Sequence, residues 1–141
     1  MKRMSAEYRS THTLHAGGPL PDALLADFRA EARARLARSD AFSAELLARE
    51  VLNNAAIHGN RGAEANGQIL CAIRLSSGRL LLAVRDGGRG FDWRAATRIP
   101  PDDAGCSGRG LAILFRYATR VRFNNCGNAA FILKRFSVRQ T

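Results

Sequence analysis

Hydrophobic and polar positions alternate along this chain with two different periods. From Pro21 to Arg38 the apolar residues Leu24, Leu25, Phe28, Ala32 and Leu36 recur at helical spacing, which predicts an amphipathic helix opened by Pro and Asp. Ser39 or Asp40 caps a second expected helix. It directs Phe42, Leu46, Leu47, Val51 and Ala55 inward and ends at Gly59. Before these helices, STHTLHA (10–16) alternates weakly, as an edge strand does, and GGPLP then breaks the chain. After the polar loop NRGAEANG, the runs ILCAIRL (69–75) and RLLLAVR (79–85) flank the short turn SSG and predict a hairpin. The second run is apolar on both faces from Leu80 to Val84, which suits a central strand.

A stretch rich in Gly, Asp and Pro fills residues 86–107, and helical spacing returns over 108–118. A last hairpin, RVRFN and AAFILKRF around NCGN, closes the chain. There is no internal repeat. The order of elements predicts an α+β, two-layer fold, with helices on one face of a mainly antiparallel mixed sheet. The chain has 141 residues, 46% of them hydrophobic, enough for one core and too few for two ordinary domains. One domain is therefore expected over 1–141, with residues 1–9 as a flexible tail.

Composition narrows the setting. No apolar run reaches the roughly eighteen residues of a membrane span, and Met1 to Ser10 lacks the apolar middle of a signal peptide, so the cytoplasm is the expected address. Cys71, Cys106 and Cys126 form no CxxC pair and read as reduced structural thiols. The formal charge is +10, from 22 Lys+Arg against 12 Asp+Glu. That balance favours polyanions or acidic partners without naming one. The densest group, Arg29, Arg33, Arg35 and Arg38, does not share a narrow helical face and has few aromatics among it, so a solvated face is favoured over a nucleic-acid patch.

Three stretches carry candidate chemistry. In REVLNNAAIHGN, residues 49–60, Glu50, Asn54 and His58 stand one helical step apart. Side chains four apart lie about 6 Å apart along the axis and about 40° apart around it, so they form one polar stripe. The stripe is either a solvent face or a site. As a site, the Asn54 oxygen is a hard neutral ligand suited to Mg²⁺. Glu50 would accept a proton from a hydroxyl or water attacking phosphorus. In VRDGGRGFDW, Asp86 follows a buried strand and no second strand follows it. A carboxylate there can accept a hydrogen bond from an exocyclic amine such as that of adenine, and Gly88 and Gly90 let backbone approach a flat ring or a phosphate. In GCSGRGLAIL, Gly108 and Gly110 lead a glycine-rich loop into a helix whose first N–H groups form an anion site. Neither a Walker A nor a Rossmann pattern fits.

In this order E-x-x-x-N-A-x-x-H-G, D-x-G-x-G-F and G-x-G-L resemble the N box and the two glycine boxes of the gyrase, heat-shock chaperone, histidine-kinase and mismatch-repair ATPases. That is the GHKL superfamily, with the Bergerat nucleotide-binding fold. Size, the HGN sequence and the absence of an upstream phosphoacceptor-histidine helix make the chain look most like the small anti-sigma-factor serine kinases of bacterial partner switching. The resemblance covers about residues 40–136.

By position, the resemblance implies that Asn54 binds Mg²⁺, Glu50 is the general base and Asp86 holds the adenine amine. It implies that Gly88 and Gly90 shape the adenine pocket, and that Gly108, Arg109 and Gly110 sit at the phosphates under an ATP lid of roughly 92–107. Arg109 or Arg98 would neutralise γ-phosphate charge. His58 reads as structural. The implied activity is ATP- and Mg-dependent phosphorylation of an anti-anti-sigma (STAS-domain) protein, together with sequestration of a sigma factor. A homodimer is expected from the resemblance alone. One departure stands out: where the family has a threonine supporting the aspartate, this chain has Asn128 and Ala130 after Gly127. That leaves open a non-catalytic nucleotide-binding regulator that sequesters a protein partner. A nucleic-acid-binding domain, a third possibility, rests on charge alone.

Overall fold

A computed structural model describes residues 5–15, 20–58, 67–86, 113–124 and 129–137, with Ile57 and His58 described by their backbone. Strand β1 (Tyr8–His15) is followed by helices α1 (Asp22–Arg35) and α2 (Arg38–His58), then strands β2 (Gln68–Leu75) and β3 (Arg79–Asp86). A helical stretch at 113–117 precedes β4 (Arg120–Phe123) and β5 (Ala129–Arg135). The five strands form one sheet in the order β1-β2-β3-β5-β4, and all four pairings are antiparallel. The expected α+β fold holds. β1 is an edge strand and β3 is central, as the alternation and the doubly apolar run predicted.

Period-two alternation sorts the strands into two faces. Ile69, Cys71, Ile73 and Leu75 of β2, Leu80, Leu82 and Val84 of β3 and Ile132 of β5 are buried beneath the helices. Helix α2 packs on β3 and β2, and α1 packs on α2. Leu24, Phe28 and Ala32 are the buried stripe of α1. Asp22 in its first turn and Arg33 and Arg35 in its last complement the helix dipole. Leu36 adopts an extended backbone and ends the helix, donating its N–H to the Ala32 carbonyl at 2.9 Å. The helix therefore stops three residues before the expected Arg38. α2 starts at Arg38, which leaves Asp40 in its first turn.

Two expectations are corrected. Phe42 does not point inward; it is 64% exposed. The buried stripe of α2 runs through Ala41, Ala44, Leu47, Ala48, Val51 and Leu52. The small alanines of this stripe are buried in the core, and Phe42, one position on from Ala41, is rotated about 100° out of it. The other correction concerns the tail. The edge strand begins at Tyr8 rather than Ser10, so the end of the segment expected to be loose is held in the sheet. Glu7 ties it there, accepting hydrogen bonds from Arg74 and, at 3.1 Å, from Arg9.

The turns are closed locally. Ser76 N–H donates to the Arg79 carbonyl at 2.9 Å, and Phe136 N–H reaches the Gly78 carbonyl at 2.9 Å, fastening the end of β5 to the β2–β3 turn. Asn124 N–H donates to the Ala129 carbonyl, while the Asn124 side-chain oxygen accepts from Ala129 N–H at 3.2 Å. Gly67, entering β2, has a φ of 74°, a conformation that favours glycine.

Phe28 is 1% exposed, within the hydrophobic core. Phe28→Ala is expected to cost about 3–5 kcal/mol. A calorimetric scan should show Tm falling by roughly 10–20 °C.

Candidate functional site

Register decides where the strand carboxylate points. Leu80, Leu82 and Val84 of β3 face the helices, and two residues on from Val84, Asp86 lies on that same face, paired with buried Ile69. Asp86 is half-buried. Arg85 is exposed on the opposite face.

The helix packed on β3 is the one that carries Glu50 and Asn54. Both are half-buried, on the flank of α2 beside its buried stripe. They are neither core residues nor fully solvated ones. The α2 backbone stays helical through His58, so the four-residue spacing of the stripe is kept.

The same end of the sheet gathers several chain ends. His15 pairs with Gln68, Ile69 with Asp86, Arg85 with Ala129 and Phe123 with Ala130. The residues that border segments 59–66, 87–112 and 125–128 at Gly67, Asp86, Asn124 and Ala129 therefore meet at one end. The expected site residues Gly88, Gly90, Gly108, Arg109 and Gly110, the expected lid over 92–107, and Arg98 lie outside the described residues, as does the His58 side chain.

Of the two residues that stand in for the expected threonine, Asn128 and Ala130, the structure describes Ala130, on the helix-facing side. It is buried and pairs with Val84, two residues before Asp86. A methyl group offers no hydrogen bond there. Asn128 lies outside the described residues.

The donor chemistry suits a cation held partly by phosphate. Among the described residues no three His, Cys, Asp or Glu side chains converge on a metal position. A neutral amide oxygen such as that of Asn54 fits Mg²⁺, which keeps several waters and substrate oxygens and takes few protein ligands.

Three of the four clustered arginines, those on α1, make described contacts. Arg29 and Arg33 both reach Glu45, at 3.2 and 3.9 Å. Arg35 pairs with Glu31 at 2.9 Å and donates to the Ser5 carbonyl at 2.8 Å. These contacts tie α1 to α2 and to the start of the described chain. Cys71 is a buried free thiol whose pKa burial pushes up to about 11, so it is a core residue and a poor nucleophile. Among the described residues no helix is long and apolar enough to cross a membrane.

The family model of the histidine kinase-like ATPase domain matches residues 20–133, taking in both helices, β2 to β4 and most of β5. The chain belongs to this family. No match was found among curated proteins. A histidine kinase-like ATPase domain is an ATP-binding, kinase-like domain of the GHKL type, and its five-stranded antiparallel sheet with overlying helices accords with that assignment.

Spacing gave no separate weight to the outer face of this domain's sheet, where Leu70 and Phe131 remain 57% and 54% exposed. The signal was present as apolar residues at every position of the central strand. Burial on both faces was the natural inference from it, and among the described residues only one face is covered.

Proposed function

We propose that this histidine kinase-like ATPase domain is an Mg-ATP-dependent protein serine kinase that acts as an anti-sigma or partner-switching regulator, with an anti-anti-sigma protein of the STAS type as substrate and a sigma factor as the sequestered partner. The observation that carries this reading is that Asp86 stands on the helix-facing side of β3, the strand on which α2, bearing Glu50 and Asn54, packs.

Each side chain then has one task. Asp86 accepts a hydrogen bond from the adenine amine. Asn54 would hold Mg²⁺, whose contribution is to neutralise charge on the phosphate oxygens. Glu50 takes the proton of the serine hydroxyl as its oxygen bonds to the γ-phosphorus and the bond to the β-phosphate oxygen breaks, leaving phosphoserine and ADP. Such a transfer depends on positioning and charge neutralisation more than on covalent chemistry. A rigid helix that fixes a base and a metal ligand on one flank supplies the positioning. Gly88 and Gly90 at the adenine, and Gly108, Arg109 and Gly110 at the phosphates, complete the proposed site.

One observation favours a second reading, a nucleotide-binding regulator without transfer activity. The threonine that the resemblance implies is replaced by Asn128 and Ala130, and the Ala130 methyl supplies no hydroxyl beside the proposed adenine site. Incubation with γ-labelled ATP and a serine-bearing STAS protein separates the two readings. Label on the serine is expected. Bound ATP with no label on the partner would move the domain to the second reading.

A further inference from the structure

The opposite face of the sheet has no helix over it among the described residues, and it carries an ordered pattern. Register builds rows across it: Ala72, Ala83 and Phe131 stand side by side, with Arg122 at the end of the row. The next row sets Arg74, Leu81, Leu133 and Arg120 in line. On the other side, Leu70 lies beside Arg85. An apolar centre across β2, β3 and β5 is thus bordered by arginines. Two shallow depressions, of about 450 and 270 Å³, share Ala72, Ala83 and Phe131 as lining.

Glu7 aside, the border is one-signed among the described residues. Among the described residues, no carboxylate is paired with Arg79, Arg85, Arg120, Arg122 or Arg135. Arg79 and Arg135 stand directly opposite each other on adjacent strands, an arrangement that like charges disfavour unless an anion lies between them. The sheet shows how it treats such a pair. Arg9 and Arg74 are also cross-strand neighbours, and there the Glu7 carboxylate lies against both. Their hydrogen bonds, that of Arg74 foremost, hold the Glu7 carboxyl down to about 2 from an ordinary 4.5.

We infer that this outer face docks a partner protein through a patch with an apolar centre and an acidic rim. The inference stands apart from the nucleotide reading, since it concerns the other side of the sheet. A second copy of the chain is the poorer occupant. It would bring a second arginine border against the first, and Glu7, the one described carboxylate on this face, is already engaged. Nucleic acid is poorer too. Base stacking needs flat rings, and the centre offers Phe131 alone among Leu70, Leu81 and Leu133. Aliphatic side chains at the centre with charges at the border match the anatomy of protein interfaces.

The test uses the full chain, isotope-labelled for NMR, and a synthetic helical peptide with leucines along one side and glutamates elsewhere. A control peptide has lysine in place of every glutamate. Shifts confined to the outer face of β2, β3 and β5 are expected with the acidic peptide and none with the basic one. Binding should weaken several-fold at high salt and at least about tenfold in the double variant Leu70→Ser, Phe131→Ser, checked for folding by circular dichroism. Absence of binding, or equal binding of both peptides, would overturn the inference. So would a sedimenting dimer that this double variant dissolves, or a single-stranded oligonucleotide that shifts the same resonances more tightly than the acidic peptide.

Discussion

Replacing Asn54 with alanine is expected to lower Mg-ATP affinity by roughly a hundredfold or more, about 2.7 kcal/mol of binding free energy. The side chain is half-buried on the flank of α2, and the proposed function assigns its amide oxygen, a hard neutral donor, to the metal. Alanine cannot replace that ligand, while it is the better helix former, so the fold should be kept or slightly stabilised. Isothermal titration calorimetry with ATP and magnesium measures the loss, and an unchanged helical circular dichroism spectrum attributes it to the ligand. Affinity equal to that of the unaltered chain would remove Asn54 from the metal site.

Glu50→Gln is expected to separate binding from transfer. Glutamine keeps the shape, the hydrogen-bonding reach and the helix propensity of glutamate but cannot take a proton at neutral pH. Nucleotide affinity should stay within a few-fold, while phosphoryl transfer to the serine partner should fall by about 10²–10⁴. Single-turnover transfer of labelled phosphate reads this directly. Equal loss of affinity and transfer would make Glu50 a binding residue, and full transfer would remove it from the chemistry.

The β1 anchor has a pH signature of its own. With its folded-state pKa lowered to about 2, Glu7 contributes stability that is present above about pH 4.5 and is lost as pH falls through 2. The ion pairs are at the surface, so the effect is small and screened by salt. Thermal melts of the unaltered chain and Glu7→Gln should differ slightly at pH 6 and converge near pH 2. A difference that persists at pH 2 would assign it to packing.

The sheet was legible because its two faces differ in kind. Leu80, Leu82 and Val84 alternate with residues that meet no helix, and turn chemistry at Ser76 and Gly78 marks the hairpin. The helices were legible in extent but less so in rotation. Alanine and leucine alike count as apolar in a periodicity, and only packing shows that Ala41, Ala44 and Ala48 are buried while Phe42 is left outside. The polar stripe of Glu50 and Asn54 was readable from its four-residue spacing. What the sequence could not supply was the face on which Asp86 stands, because that depends on pairing with Ile69 and on the parity running back through Val84. The outer face escaped for a related reason: a central strand apolar on both sides reads the same whether its second side is covered or open.

The account rests on adenine and phosphate sitting between α2 and the Asp86 end of the sheet. A crystal structure of the chain with a non-hydrolysable ATP analogue and magnesium tests this most directly. The adenine amine should donate to the Asp86 carboxylate, and the metal should contact the Asn54 side-chain oxygen. A nucleotide bound elsewhere, or none bound at millimolar concentration, would contradict it.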